Sequence, residues 1–556
     1  MIVKTKVGIT SLPRSVDTKA GVIGQPSLFK SEERKLISLK EASIWASQYL
    51  NRDVTISNIS YLIQYGRIKK YGNDGNPLIC IEELKNYYDS YAIEKKWQNI
   101  LGKDINWHLS FLQYKEAERT KHVHRLHPYK GKFIPQLVEY FLDAHTDEFK
   151  KKVYFQKGDI VLDPFCGSGT TLVQANELGM HAIGIDVSPF NVLISNVKVG
   201  KHNLSLIEDT IRKLNWKLKE FQNTKKNIYF EEQLSLELAK FNNVYFPSPD
   251  YKRKVANGII DEKVYSKEKE AEFLVIYNSL VQKYQIKIKQ DKSEKFLDKW
   301  FLAPVRIEID FLANEISKID DEDVKRVLTI ILSRTARSCR ATTHADLATL
   351  KEPVTTTYYC KKHGKICKPI FSITKWWEYY TIDTLNRLKE FDKLRTNTFQ
   401  VCVTGDSREI DIYEEIKKVN NEFAKILLKQ KIKGIFSSPP YVGLIDYHEQ
   451  HAYAYEIFKF ERRDELEIGP LSKGQGEEQR KSYIQGIAEV LNNCKKYLQD
   501  DYDVFLVAND KFNLYPKIAE FAGMKIINEF KRPVLCRVEK DRETPYSESI
   551  FHLKKR

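Results

Sequence analysis

The sequence predicts an α/β protein: an open, largely parallel sheet, interrupted by a long helical insertion and preceded by a small helical unit. Three observations carry this. Val161-Leu162-Asp163 and Ile183-Gly184-Ile185-Asp186 are short, unbroken apolar runs that end in a carboxylate, the pattern of parallel strands buried on both faces. Between them, Cys166-Gly167-Ser168-Gly169-Thr170-Thr171 turns the chain into a helix over Leu172 to Leu178. Much later a third apolar run, Gly434-Ile435-Phe436, stops abruptly at Ser437-Ser438-Pro439-Pro440-Tyr441.

Composition narrows the class. A chain of 556 residues predicts three to four domain-sized units. Its formal net charge of +15 favours a polyanionic partner, because each cation that meets a phosphate releases a counterion. Eight cysteines without framework spacing point to a reducing compartment, the cytoplasm. The chain has no run of ~20 apolar residues, so no membrane partner is expected.

Residues 1–34, rich in Gly, Pro and Ser, read as a flexible lead. Within it Gln25-Pro26-Ser27-Leu28-Phe29 is similar to the short peptide by which bacterial enzymes dock on the replication sliding clamp, which makes the clamp a candidate partner. Residues 35–95 read as one small unit. Ser38, with Glu41 three residues on, is a capping box for a first helix carrying Ala42, Ile44, Trp45 and Leu50. A second helix runs from Ser57 to Tyr65 and stops at Gly66. Arg67–Tyr71 and Pro77–Ile81 flank a Gly- and Asn-rich turn, a hairpin signal. This order resembles the winged helix-turn-helix of excisionases, which lays its second helix in the major groove and its wing on the backbone. The resemblance makes Ser57, Asn58, Ser60, Tyr61, Gln64, Arg67, Lys69 and Lys70 the DNA face. A helical domain for protein contacts is the alternative. Residues 96–125 read as a charged connector.

Residues 126–200 hold the first part of the core. The glycine turn has no third glycine in dinucleotide register and begins Asp163-Pro164-Phe165. Asp186 ends the next strand, where an acid can hold ribose hydroxyls. In Ser438-Pro-Pro-Tyr, proline has no N–H and a fixed φ, so the edge is stiff and offers unpaired carbonyls beside a flat ring. That suits a planar amine. The two motifs, in this order, resemble the amino-group DNA methyltransferases that use S-adenosylmethionine, the cytosine-N4 and adenine-N6 type, on a Rossmann-like methyltransferase sheet. The resemblance implies cofactor contacts from Asp163, Pro164, Phe165, Gly167, Gly169, Thr170, Thr171 and Asp186. It also implies that Lys130, Phe133 and Pro135 pack over the methionine end of the cofactor, and that Asp406 meets its adenine amine. Asn191 follows Asp186 closely enough to lie nearby, and Cys166 is read as a packing residue.

From 201 to 398 strand alternation gives way to helical periodicity rich in Lys and Glu, too long for a loop. In the family such insertions read DNA sequence, so this is the candidate target-recognition domain. Arg334, Arg337 and Arg340 recur every three residues near one helical face and suit phosphates and base edges. An internal ion-pair network is the rival. Cys360, His363 and Cys367, with Cys339 upstream, offer four ligands but lack paired C-x-x-C spacing. No metal is assigned.

Residues 399–556 hold the second part of the core. By the resemblance, Ser438, Pro439, Pro440 and Tyr441 are catalytic: the Ser438 hydroxyl and Pro439 carbonyl accept the amine hydrogens, and Tyr441 stacks on a flipped-out base. Cytosine-5 chemistry would need a nucleophilic Pro-Cys pair, which the chain lacks. In the family, Ser at the first motif position goes mostly with cytosine N4. The expectation is a site-specific methyltransferase acting on cytosine N4 in double-stranded DNA, with a cognate restriction endonuclease as partner. Adenine N6 is the alternative target, and a DNA-binding regulator on an inactive methyltransferase fold is the alternative class.

Overall fold

The computed structural model describes residues 35–50, 53–64, 68–72, 76–89, 101–102, 104–111, 114, 116–223, 226–291, 294–344, 346, 350–534 and 546–556. The clamp-like peptide at 25–29, Arg67, and the side chains of Tyr61 and Gln64 lie outside these. The described residues fall into two compact units. One lies within Met1–Lys115 and Lys531–Glu548, the other within Glu116–Phe530 and Ser549–Arg556.

In the first unit, β1 (Leu36–Ser38) leads into the helix Leu39–Leu50, and a second helix spans Ile56–Gln64. The expected capping box is present: the Glu41 amide donates to Ser38 Oγ at 3.3 Å and the Ser38 amide donates to Glu41 Oε2 at 2.8 Å. Ala42, Ala46, Val54, Ile59, Leu62, Ile79 and Leu84 close a small core. The hairpin differs from expectation. β2 (Leu78–Cys80) pairs antiparallel with β1, and the predicted partner strand contributes the single bridge Tyr71–Leu78. The register sets Ile37 opposite Ile79, both in the core, and that shared burial outweighs the local turn. Ser57, Asn58, Ser60, Lys69 and Lys70 are exposed. Asn58, however, turns its Oδ1 back to accept from the Thr55 amide at 2.8 Å, so that oxygen caps its own helix.

The second unit is organised by the large sheet. The strands of that sheet are β3 (Ile160–Asp163), β4 (His181–Asp186), β7 (Gln400–Thr404), β8 (Ile432–Ser437), β9 (Leu498–Ala508), β10 (Met524–Val534) and β11 (Tyr546–Lys555), the end of β10 from Lys531 and the start of β11 to Glu548 being counted with the first unit, and β5 (Tyr358–Cys360) and β6 (Lys365–Cys367) form a separate hairpin. The order is β10-β11-β9-β8-β3-β4-β7. β7, β4, β3, β8 and β9 run parallel to their neighbours, while β11 is antiparallel to β9. Ile160, Leu162, Ile183, Ile185, Val401 and Val403 share one core with the helices Ile412–Val419, Asn421–Lys429 and Glu477–Lys495. Each fully buried aliphatic side chain there stabilises the fold by about 1.5–3 kcal/mol.

Between the helix Pro189–Val199 and β7, the chain is mainly helical, from Leu204–Asn223 to Thr374–Asp392. The β5–β6 hairpin inside it was not expected. Neither was the fate of two arginines. The helix Glu322–Ser338 is buried almost continuously from Val327 to Ala336, so little of it faces solvent. Arg334 is 5% exposed, bonds Thr384 Oγ1 at 2.7 Å, pairs with Asp383 and lies 4.3 Å over the Tyr380 ring. Arg340 is also buried, its Nε donating to the Arg337 carbonyl at 2.8 Å. The rival reading, an internal ion-pair network, therefore replaces DNA contact for Arg334, and burial removes Arg340 from the DNA face. Arg337 is half-buried. Among the described residues, no helix is long and apolar enough to cross a membrane.

Candidate active site

The strand order reverses at β3. The chain lays β4 and β7 to one side of it, then returns to lay β8 on the other. In open α/β sheets the crevice outside the carboxyl ends of the strands at such a reversal is the ligand site. The parallel register Val161–Gly434 and Leu162–Ile435 brings the two sequence motifs out of the sheet together. They are bolted to each other: Ser437 Oγ donates to Asp163 Oδ1 at 2.6 Å, and Thr171 Oγ1 donates to the Phe436 carbonyl at 3.3 Å. Asp163 also accepts from the Phe165 amide at 3.2 Å and is 1% exposed. Burial pushes its carboxyl up to about 6, opposed by the Ser437 and Thr171 hydrogen bonds. It braces the two loops from beneath.

Above that brace lies a cleft of about 830 Å³, including the solvent at its mouth. Of the residues the sequence nominated, Phe133, Pro164, Phe165, Gly167, Thr170, Asp186, Asp406, Ser438 and Pro440 line it. Gly167 has φ +51, and a Cβ there would sit 2.9 Å from the Tyr129 hydroxyl, so only glycine fits between turn and ring. Its amide donates to Asp186 Oδ2 at 2.8 Å. Asp186 Oδ1 accepts from the Ser188 amide at 2.8 Å and from Asn191 Nδ2 at 3.1 Å. Burial raises this carboxyl to about 6 against the pull of those donors. Ser407 Oγ donates to the Pro164 carbonyl at 2.7 Å and ties the Asp406 turn to the same edge.

Ser438 is the polar group of the proline edge that faces the cleft. Its hydroxyl hydrogen is taken: Oγ donates to the Val507 carbonyl at 3.1 Å. An oxygen whose hydrogen is engaged presents only lone pairs to a ligand.

Other nominated residues stand elsewhere. Pro439 is buried, Gly169 and Thr171 open the helix Thr170–Glu177 behind the wall, and Tyr441 is half-buried against the sheet core. Lys130 is exposed and does not line the cleft; its neighbours Tyr129, Gly131 and Lys132 do. Pro135 is buried at the first turn of the helix Pro135–Leu142. Asp406 reaches the cleft, but its carboxylate is clasped by Arg408, through Nε at 2.9 Å to both oxygens and the amide at 2.9 Å to Oδ1. Sequence reasoning missed Tyr129, Lys132, Ser168 and Glu467, while Tyr447 lies in the polar-aromatic run after the proline edge that could be expected to help close it. Glu467 is held by the Tyr447 and His448 amides at 3.3 and 2.9 Å. The one signal for it was a charged residue set just before a Gly469-Pro470 turn.

The wall suits a ligand that carries both polar groups and flat apolar surface. Ser168 Oγ and Asn191 Oδ1 are buried on it without a hydrogen-bond partner, and such groups are rare unless a ligand or water completes them. Asp186 offers a carboxylate, and the Tyr129, Phe133 and Tyr447 rings supply apolar faces.

Comparison with known proteins identifies the family. A family model described as a DNA methylase matches residues 31–197. The chain is 47% identical over 530 residues to the Type II methyltransferase M.MjaII of Methanocaldococcus jannaschii, covering 94% of this chain and 97% of that protein. It is 33% identical over 141 residues to the Type II methyltransferase M.MvaI of Kocuria varians, 25% of this chain and 28% of that one. Among solved structures, an rRNA methyltransferase, aviRa from Streptomyces viridochromogenes, aligns over 77% of this chain and 88% of its own, at 8% identity and a TM-score of 0.26, too low to bear on substrate.

Proposed function

The chain belongs to the N6/N4 amino-group DNA methyltransferases of Type II, enzymes that take the methyl group from S-adenosylmethionine and act on DNA, and from that premise we propose that it methylates cytosine N4 at a specific site in double-stranded DNA. The cofactor supplies an electrophilic methyl on a sulfonium.

The proline edge supports the amino-group chemistry common to both targets, and what favours cytosine over adenine is that Ser, rather than Asp or Asn, stands first in it. Ser438 stands first in it with its hydroxyl hydrogen already bonded to Val507, so Oγ and the Pro439 carbonyl act together as acceptors for the two hydrogens of an exocyclic amine. Holding both hydrogens turns the nitrogen lone pair out of ring conjugation and toward the methyl, and alignment then supplies most of the rate. Tyr441 stacks on the flipped base and offsets part of the few kcal/mol that flipping costs. Asp186 holds the ribose hydroxyls, giving up its Gly167 bond or sharing it, and Ser168 and Asn191 meet the polar ends of the cofactor. The N-terminal unit at 35–95 and the insertion at 201–398 are the parts proposed to read DNA, and a cognate endonuclease is the expected companion. Mass spectrometry of nucleosides from DNA treated with protein and cofactor tests the target. N4-methylcytosine supports the reading, and N6-methyladenine alone overturns it.

A further inference from the structure

Four side chains outside the cleft, with no part in the reaction above, converge at the β5–β6 hairpin: His344, Cys360, His363 and Cys367. One ring nitrogen or sulfur from each lies within 4.8 Å of all the others. We propose that they bind a single zinc ion, a Cys2His2 site that fixes this hairpin within the helical insertion.

The backbone arranges the set. The His363 and Gly364 amides donate to the Cys360 carbonyl at 3.1 and 2.7 Å, and Gly364 has φ +64, which a Cβ would disfavour. That tight turn brings the Cys360 and His363 side chains together. In the hairpin register Cys360 faces Lys365 and Tyr358 faces Cys367, so the two cysteines lie two positions apart and share a face. Cys367 Sγ is already 3.5 Å from His363 Nδ1. Ligand atoms on a tetrahedral zinc lie about 3.4–3.8 Å apart, so the set needs only a small contraction. His344 is held by Tyr358, whose hydroxyl lies 2.9 Å from Nδ1 and accepts from the His344 amide at 3.2 Å. That leaves Nε2 for a metal, with an outer partner orienting the ring. Two sulfurs and two imidazoles, without a carboxylate, select zinc over magnesium or calcium.

The hairpin also has a need that a metal meets. Each strand has three residues, and among the described residues the hydrophobic cluster on the cysteine face is small, Tyr358, Cys360 and Cys367 with Val354 packed alongside, while Ile366 is buried on the other face. A two-stranded hairpin of that size is marginal by itself, and small units of this kind are stapled by metals or disulfides. Cys339, grouped with these cysteines on sequence, is not part of the cluster; His344 takes its place.

The test is metal analysis of the full-length protein purified without chelator. The expected content is roughly one zinc per chain, retained in Cys339→Ser and lost in the paired variant Cys360→Ser, Cys367→Ser. Should that pair fail to fold, the wild type serves: stripped and refilled with Co2+, it should show sulfur-to-cobalt charge transfer and strong tetrahedral d–d bands, saturating near one equivalent. Wild-type protein that carries no zinc after zinc-supplemented expression and takes up no Co2+ would overturn the proposal. So would zinc retained in a folded paired variant, or a Cys360–Cys367 disulfide in freshly isolated protein.

Discussion

The sheet edge and the arginine helix present the same kind of sequence cue, polar side chains at telling intervals, and the fold uses them in opposite ways. At the edge, Asp186, Thr170 and Ser438 line an open cleft. In the helix Glu322–Ser338, Arg334 turns inward and is consumed by Asp383, Thr384 and Tyr380. The difference lies in what fixes each side chain. Gly167 and the two prolines constrain the backbone itself, so the residues beside them can only emerge at the strand ends. A three-residue helical interval says that side chains are neighbours, but not whether their face looks at water or at another helix.

That contrast can be tested by breaking each side in turn. Asp186→Ala should weaken S-adenosylmethionine binding about 10³-fold, since two charge-assisted hydrogen bonds are lost at about 1.5–3 kcal/mol each; isothermal titration reads this directly. Ser438→Ala should leave cofactor affinity alone and lower kcat about 10²-fold, the scale of losing one preorganised polar contact to the transition state. Single-turnover methylation would separate the two effects. Arg334→Ala should do neither. It should destabilise the fold by about 3 kcal/mol in denaturant titration, because among the described residues Asp383 keeps only Arg387 as a charged partner. Unchanged stability together with weakened DNA binding would reverse the comparison and return Arg334 to the DNA face.

Two smaller effects sharpen it. Burial puts the Asp186 carboxyl at about 6 in the free protein. Ribose binding needs the ionised form, so cofactor affinity should be level above pH 7 and fall about tenfold per pH unit well below 6. Asp186→Asn should flatten that profile. Tyr441→Ala should weaken binding to DNA carrying an unpaired target base by about tenfold, the worth of one stacked base, and leave cofactor binding unchanged.

Much of the sheet and half of the cleft were legible in the sequence, and the reasons are local. Asp163, Gly167, Asp186 and Ser438 sit at strand ends, where short-range chemistry decides what can follow. Lys130 was misplaced because Gly131, with φ +79, turns the chain there, and a one-residue difference exchanges an exposed position for one on the wall. Tyr129 reaches the cleft from a segment joined to the others only by the fold, and no local pattern marks it. The β5–β6 hairpin was hidden for a related reason. Its strands are three residues long, too short for a period-2 signal, and its fourth candidate ligand, His344, lies 14 residues before Tyr358, its hydrogen-bond partner.

The central claim is that two loops at one reversal of the sheet hold the cofactor's methyl against the proline edge. A crystal structure of the full chain with S-adenosylmethionine bound tests it most directly. The expected result is the ribose on Asp186, the polar ends near Ser168 and Asn191, and the methyl directed across the cleft toward Ser438 and Pro439. A cofactor seated elsewhere, or one whose methyl points away from Ser438, would contradict it.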